Sequence, residues 1–135
     1  MDIIRNIEGE VLKMSDLDEL NELLWDAEKI GAYANSSCEE CSGILAVTNR
    51  RIFFASKGDI SMKVTNNIYV NKIKSVGYGK GVFSGWIEIG IRRKRKHLRF
   101  YNIDNDSVIE IFEYIKRRVE QISKWSEYEE SEIDD

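Results

Sequence analysis

The chain has 135 residues, of which 42% are hydrophobic and 33% charged, and carries a formal net charge of -4 at pH 7. That length suits one domain around one core, and that composition marks a soluble globular protein. There are no prolines, which excludes PxxP-type ligand segments and folding phases set by native cis-prolyl bonds. The start, "MDIIRNIEGE", has acidic residues and no long apolar run, so no signal peptide is expected. No stretch approaches the roughly 18 apolar residues of a membrane-spanning helix, and the expected compartment is cytoplasmic.

Residues 2 to 27 read as helical. Ile3, Ile7, Val11 and Met14 recur at spacings of one helical face. Ser15 followed by Asp18 resembles the capping-box start of a second helix, and Leu17, Leu20, Leu23 and Leu24 then line its apolar side. After Asp26 the pattern changes to short segments rich in β-formers. The eight segments "KIGAYAN", "SGILAVTN", "RIFFASKG", "ISMKV", "NIYV", "KIKSVGY", "GWIEIGIR" and "KHLRFYNI" are short enough that about seven strands are expected, with turn residues between them. No strand–helix alternation occurs, so the sheet is expected to be antiparallel.

Cys38 and Cys41 stand in "CEEC" before a strand, and His97 is the only histidine. Structural zinc needs four ligands, and no second CxxC or HxxxH exists, so two loop thiols without metal are expected. "GYGKGVFSG", residues 77 to 85, lacks the Lys-Ser/Thr ending of a phosphate loop and reads as a strand–strand turn.

"IRRKRKHLRF", residues 91 to 100, holds the strongest charge signal. With the turn centred on Lys94 and Arg95, Ile91 faces Leu98 and Ile89 faces Phe100, both pairs on the core side. The basic run then lies at a hairpin tip and its flanks. Arg92, Arg93, Lys94, Arg95, Lys96 and Arg99 are the candidate anion-binding residues, with Trp86 and Tyr101 on outward-facing positions nearby.

Residues 107 to 125 carry a helix signal. Ser107 with Glu110 fits a capping box, and Val108, Phe112, Ile115, Val119 and Ile122 form one stripe. Ile89, Ile91, Leu98, Phe100, Phe112, Ile115 and Val119 are expected to share one core. The end, "EYEESEIDD", has six acidic residues and no basic ones, and is expected to be disordered. The organisation read from these signals is an N-terminal helical segment over 1–27, a domain over 28–125 and an acidic tail over 126–135.

The order of elements resembles the pleckstrin-homology (PH)-like fold. This is an α+β class: a bent antiparallel sheet or barrel of about seven strands, capped by a C-terminal helix. "GILAVTNRRIFFASKG", residues 43 to 58, is similar to the signature of bacterial PH domains, in which a "G-x-L-x-x-T-N-x-R-hydrophobic" hairpin leads into the third strand. "VNKIKSVGYGKG" and "FYNIDNDSVIEIFEYIKRRV" resemble that family's next strand with its glycine-rich turn and its closing strand and helix. The resemblance is to small bacterial and phage proteins of the YokE-like type, whose functions are mostly uncharacterised. Eukaryotic relatives in the fold bind phosphoinositides through basic residues between the first two strands. Here that segment is "ANSSCEECSG", residues 34 to 43, with Glu39 and Glu40 and no Lys or Arg, so that site does not carry over.

Three classes of function remain to be weighed. One histidine and no HExxH, GxSxG or GxxxxGK[ST] remove the commonest enzyme signatures, so neither catalytic residues nor a cofactor are expected. The expected role is a non-enzymatic interaction module, protein-binding or self-associating, without a small-molecule substrate. The alternative is a module binding an anionic membrane surface or nucleic acid through the basic hairpin 92–99.

Overall fold

The computed structural model describes residues 3–5, 11–58 and 61–129. Two short strands, β1 (Ile3–Arg5) and β2 (Val11–Lys13), pair antiparallel and lead into helix α1 (Met14–Glu22). Among the described residues of the segment expected to be helical over 2–27, helix is therefore confined to the nine of α1. The apolar spacing in this segment is carried by Ile3, Ile4 and Val11, whose branched side chains favour strands. That preference overrides a helical period read from only a few positions.

Seven strands follow: β3 (Ile30–Cys38), β4 (Cys41–Thr48), β5 (Arg51–Lys57), β6 (Met62–Tyr69), β7 (Ile73–Lys80), β8 (Gly85–Ile91) and β9 (His97–Ile103). They form one antiparallel sheet in the order β6-β5-β4-β3-β9-β8-β7. Met62–Val64 of "ISMKV" and Asn67–Tyr69 of "NIYV" belong to the single strand β6. Between β6 and β7 the chain makes a 3-10 turn, Val70–Lys72. The halves of this bent sheet join where Ser37 and Cys38 face Tyr101 and Phe100.

Helix α2 (Asn105–Glu129) closes the concave side. Val108, Ile111 and Ile115 pack there with Leu45, Val47, Ile52 and Phe54 from one half of the sheet and Ile87, Ile89, Phe100 and Ile103 from the other. Each fully buried side chain of this size contributes about 1.5–3 kcal/mol. Ile91, Leu98, Phe112 and Val119 pack against this core but are only partly buried. Ile111, absent from the expected stripe, is in its centre. Gly31 of β3 lets α2 approach, because a Cβ there would run into the Tyr114 ring.

A second cluster lies on the other face of β4 and β5. Ile44, Ala46, Phe53 and Ala55 pack beneath Leu20, with Leu23 and Leu24 beside them. Burial on both faces explains why "GILAV" and "RIFFA" are continuous apolar runs and not alternating ones.

Two local readings are corrected. The cap of α2 is Asp104, not Ser107. Its carboxylate accepts from the Asp106 N–H at 3.2 Å and the Ser107 hydroxyl at 2.5 Å, and the helix begins at Asn105. Aspartate caps as well as serine does, and β9 ends immediately before it. The β8–β9 register also differs: Ile89 faces Leu98 and Ile87 faces Phe100, while Ile91 pairs with Ile73. A shift of two residues keeps every side chain on its own face, so alternation alone does not distinguish the two registers. At its other end α2 runs past Trp125 to Glu129, and residues 130–135 of the acidic tail lie outside the described residues.

Candidate anion-binding surface

The basic run is held by strands at both ends. The Lys94 N–H donates to the Ile91 carbonyl at 3.1 Å and the Arg92 N–H to the Lys72 carbonyl at 2.8 Å, which ties the turn to the start of β7. Arg93 takes the left-handed conformation, φ 67°, at a cost of about 1–2 kcal/mol for a side chain with a Cβ. Arg92, Arg93, Lys94, Arg95 and Lys96 are all exposed and follow one another without an intervening acidic or apolar residue.

Arg99 is set apart from them. It projects from the outer face of β9, and its Nη2 donates to Glu88 Oε1 at 2.6 Å. His97 Nδ1 lies 2.7 Å from the other Glu88 oxygen. Hydrogen bonds from Arg99 and then His97 hold the Glu88 carboxyl below the usual carboxylate range. The Arg99 guanidinium also lies 5.4 Å from the Trp86 ring centre and 5.9 Å from that of Tyr101. The six candidate residues thus divide into a five-residue cationic turn and an arginine engaged on an aromatic-bearing sheet face.

The other polar features are different in kind. "ANSSCEECSG" is almost entirely strand, with a two-residue turn at Glu39 and Glu40 where Glu39 has φ 57°. Cys38 and Cys41 face each other across that turn. Cys38 is buried, and burial first, then Glu39 and Cys41, push its thiol pKa up, whereas Cys41 is exposed. A cavity of about 330 Å³ is walled by Asn35, Ser37, Ser42, Lys57 and Asn102 among others. No cluster of three potential metal ligands occurs among the described residues.

The "TNRR" signature is structural. Thr48 Oγ1 accepts from the Arg50 and Arg51 N–H groups at 3.0 and 3.1 Å and so closes the β4–β5 turn. Arg51 is 2% exposed and Glu28 6%. Arg51 Nε donates to Glu28 Oε2 at 2.8 Å, and Nη2 donates to Glu28 Oε1 and to the Leu23 carbonyl at 3.1 and 2.8 Å. The guanidinium lies 3.8 Å from the Trp25 ring centre. Asn49 exchanges hydrogen bonds with the Lys29 backbone and accepts on its carbonyl from Arg118 at 2.7 Å. These contacts fasten the entering chain and α2 to one turn, so neither Thr48 nor Arg51 is available to a ligand.

Sequence reasoning passed over Val82 and Phe83, which are 88% and 90% exposed at the β7–β8 tip. The signal available was two large apolar residues between turn glycines.

The bent seven-stranded sheet closed by one C-terminal helix defines a PH-like domain. Residues 24–117 match the family model of the bacterial PH domain, and the chain belongs to that family. Solved structures agree on the fold. A DUF1696 family protein with a pleckstrin-homology domain from Shewanella loihica is 13% identical, with a TM-score of 0.57 over 80% of this chain and 94% of that one. A pleckstrin homology domain from Shewanella amazonensis is 19% identical, with a TM-score of 0.52 over 78% and 96%. The Vps36 N-terminal PH domain is 12% identical, with a TM-score of 0.56 over 92% and 95%. The narrower YokE-like grouping is not confirmed by these matches, and no curated protein matches the chain. No helix among the described residues is long and apolar enough to cross a membrane.

Proposed function

We propose that this chain is a non-catalytic binding module and that its working surface is the cationic turn Arg92–Lys96, which takes an anionic ligand. Membership of the bacterial PH domain family supports the coarser reading, since a PH-like fold suggests a binding module. One observation supports the finer reading: five consecutive exposed cations on a turn that backbone hydrogen bonds fix between strands. A solvated turn has no need of like charges in every position, since their mutual repulsion destabilises it. The test replaces Arg92, Arg93, Lys94, Arg95 and Lys96 together with glutamine and measures binding of polyphosphate, a ligand with charge and nothing else. The native chain should bind in a salt-sensitive way. The variant should bind at least about tenfold more weakly at low salt and still unfold cooperatively, since each exposed substitution shifts stability by only about 0.5 kcal/mol. Equal affinity of the two proteins rejects the reading.

The β7–β8 tip favours a second reading, a protein partner or self-association. Its turn is closed by hydrogen bonds: the Gly81 N–H donates to the Ser84 carbonyl at 2.8 Å, and Asn105 Nδ2 to the Gly81 carbonyl at 3.0 Å. Two exposed apolar side chains on a fixed turn suit insertion into a partner's pocket. If the chain self-associates through this tip, Phe83→Ser lowers the mass measured by light scattering towards that of one chain; an unchanged mass removes the tip from that role.

A further inference from the structure

The face of β7, β8 and β9 that turns away from α2 carries an arrangement that the cationic turn alone does not explain. In register, Gly77, Glu88 and Arg99 form one row, and Gly79 pairs with Trp86 in the row beside it. The Trp86 indole lies across Gly79, where a Cβ would collide with its ring atoms. A Cβ on Gly77 would meet nothing within 4 Å, so this part of the sheet is bare backbone. Arg99 lies between Trp86 and Tyr101, and Glu88 fixes its planar group in place. Tyr101 is exposed. The result is a shallow floor with two aromatic rings and a guanidinium plane on it, continuous along β8 and β9 with the turn Arg92–Lys96.

We infer that the anion taken by this module is single-stranded nucleic acid, with bases stacking on Trp86, Arg99 and Tyr101 and phosphates held by the turn Arg92–Lys96. This rests on the anionic reading above and adds the planar groups to it. Aromatic side chains on an open sheet face beside a cationic loop suit unstacked bases, because every base has a π-face. Glu88 does not oppose the polyanion, since Arg99 and His97 both engage it. A lipid surface fits less well. The turn has no apolar side chain to enter a bilayer, and the apolar tip Val82–Phe83 is at the far end of β8, about 20 Å away at a strand rise of about 3.3 Å per residue. An acidic peptide supplies charge but leaves the aromatic floor without a matching group. The net charge of -4 repels a polyanion at long range, so binding depends on local contact and falls steeply with salt.

The test measures fluorescence anisotropy of the full chain with an oligothymidylate of about 12 nucleotides and with an abasic strand of equal phosphate count. Anionic vesicles containing phosphatidylserine and polyphosphate are the comparison probes. The thymidylate should bind at least about tenfold more tightly than the abasic strand, with quenching of tryptophan fluorescence. Tyr101→Ser and, separately, Trp86→Leu should abolish that difference while polyphosphate binding stays as it was. Tyr101 is exposed, so its variant keeps the test valid if Trp86→Leu misfolds. Equal affinity for thymidylate and abasic strand overturns the inference and leaves the anionic reading standing, as does binding to vesicles or to polyphosphate alone. No binding to any probe rejects both.

Discussion

Arg51→Ala should cost about 3–5 kcal/mol at pH 7, because it leaves the Glu28 carboxylate buried without its cation. Burial pushes the Glu28 pKa up. Hydrogen bonds from Arg51, then Thr48, then the Trp25 N–H outweigh that effect and hold it below its ordinary value of 4.5. A folded-state pKa lowered in this way contributes stability that is fully present above about pH 4.5 and is lost as pH falls through the folded value. In the variant the largest counterweight to burial is gone, so the Glu28 pKa rises and the group takes a proton more readily. The difference between native and variant should therefore be widest at neutral pH and narrow as pH falls below about 4.5. Urea unfolding at pH 7 and pH 4 measures both. Replacing Glu28 and Arg51 together with methionine should cost less than Arg51→Ala, since no buried charge is then left alone. A loss under about 1 kcal/mol, or one independent of pH, would falsify the role given to this pair.

That network also shows where the sequence stops being informative. Arginine is almost never fully buried unless paired, and nothing local marks Arg51 as different from Arg50 beside it. Its partner is 23 residues away in a turn of no regular structure. The family resemblance found the motif, but a motif does not say which of its residues face inwards. The positions of the strands along the chain, by contrast, were legible because most apolar runs are bounded by turn residues, and the closing helix because its stripe is long. The N-terminal segment was misread because two or three branched residues satisfy either a helical or a strand pattern. The β8–β9 register was legible only modulo two residues. As for the candidate surface, five successive cations can only be exposed, so the turn was plain from sequence. The pairing of Arg99 with Glu88 was not, because cross-strand neighbours depend on that same register.

Phe100→Ala should be the most damaging apolar truncation in β9, costing about 3–5 kcal/mol. The ring is fully buried and stacks on Phe54 with centres 5.9 Å apart. It also sits where β9 meets β3, opposite Cys38, so the cavity opens at the joint between the two halves of the sheet. Phe112→Ala, the truncation that the helical stripe alone singles out, should cost less. Phe112 is only partly buried and rests against Tyr78 at 4.7 Å near the edge of the sheet. Phe100→Leu keeps most of the apolar volume and should cost less than about 1.5 kcal/mol. The neighbours of Phe100 on β9, Arg99 and Tyr101, face outwards, so the same side chain that fills the core also fixes the strand presenting them. Well below its unfolding transition the Phe100→Ala protein should still bind polyphosphate, because the turn Arg92–Lys96 is anchored through Ile91 and Lys72 and not through Phe100. Denaturant midpoints for the three variants settle the ranking: if Phe100→Ala costs no more than Phe112→Ala, the core is not centred at that joint.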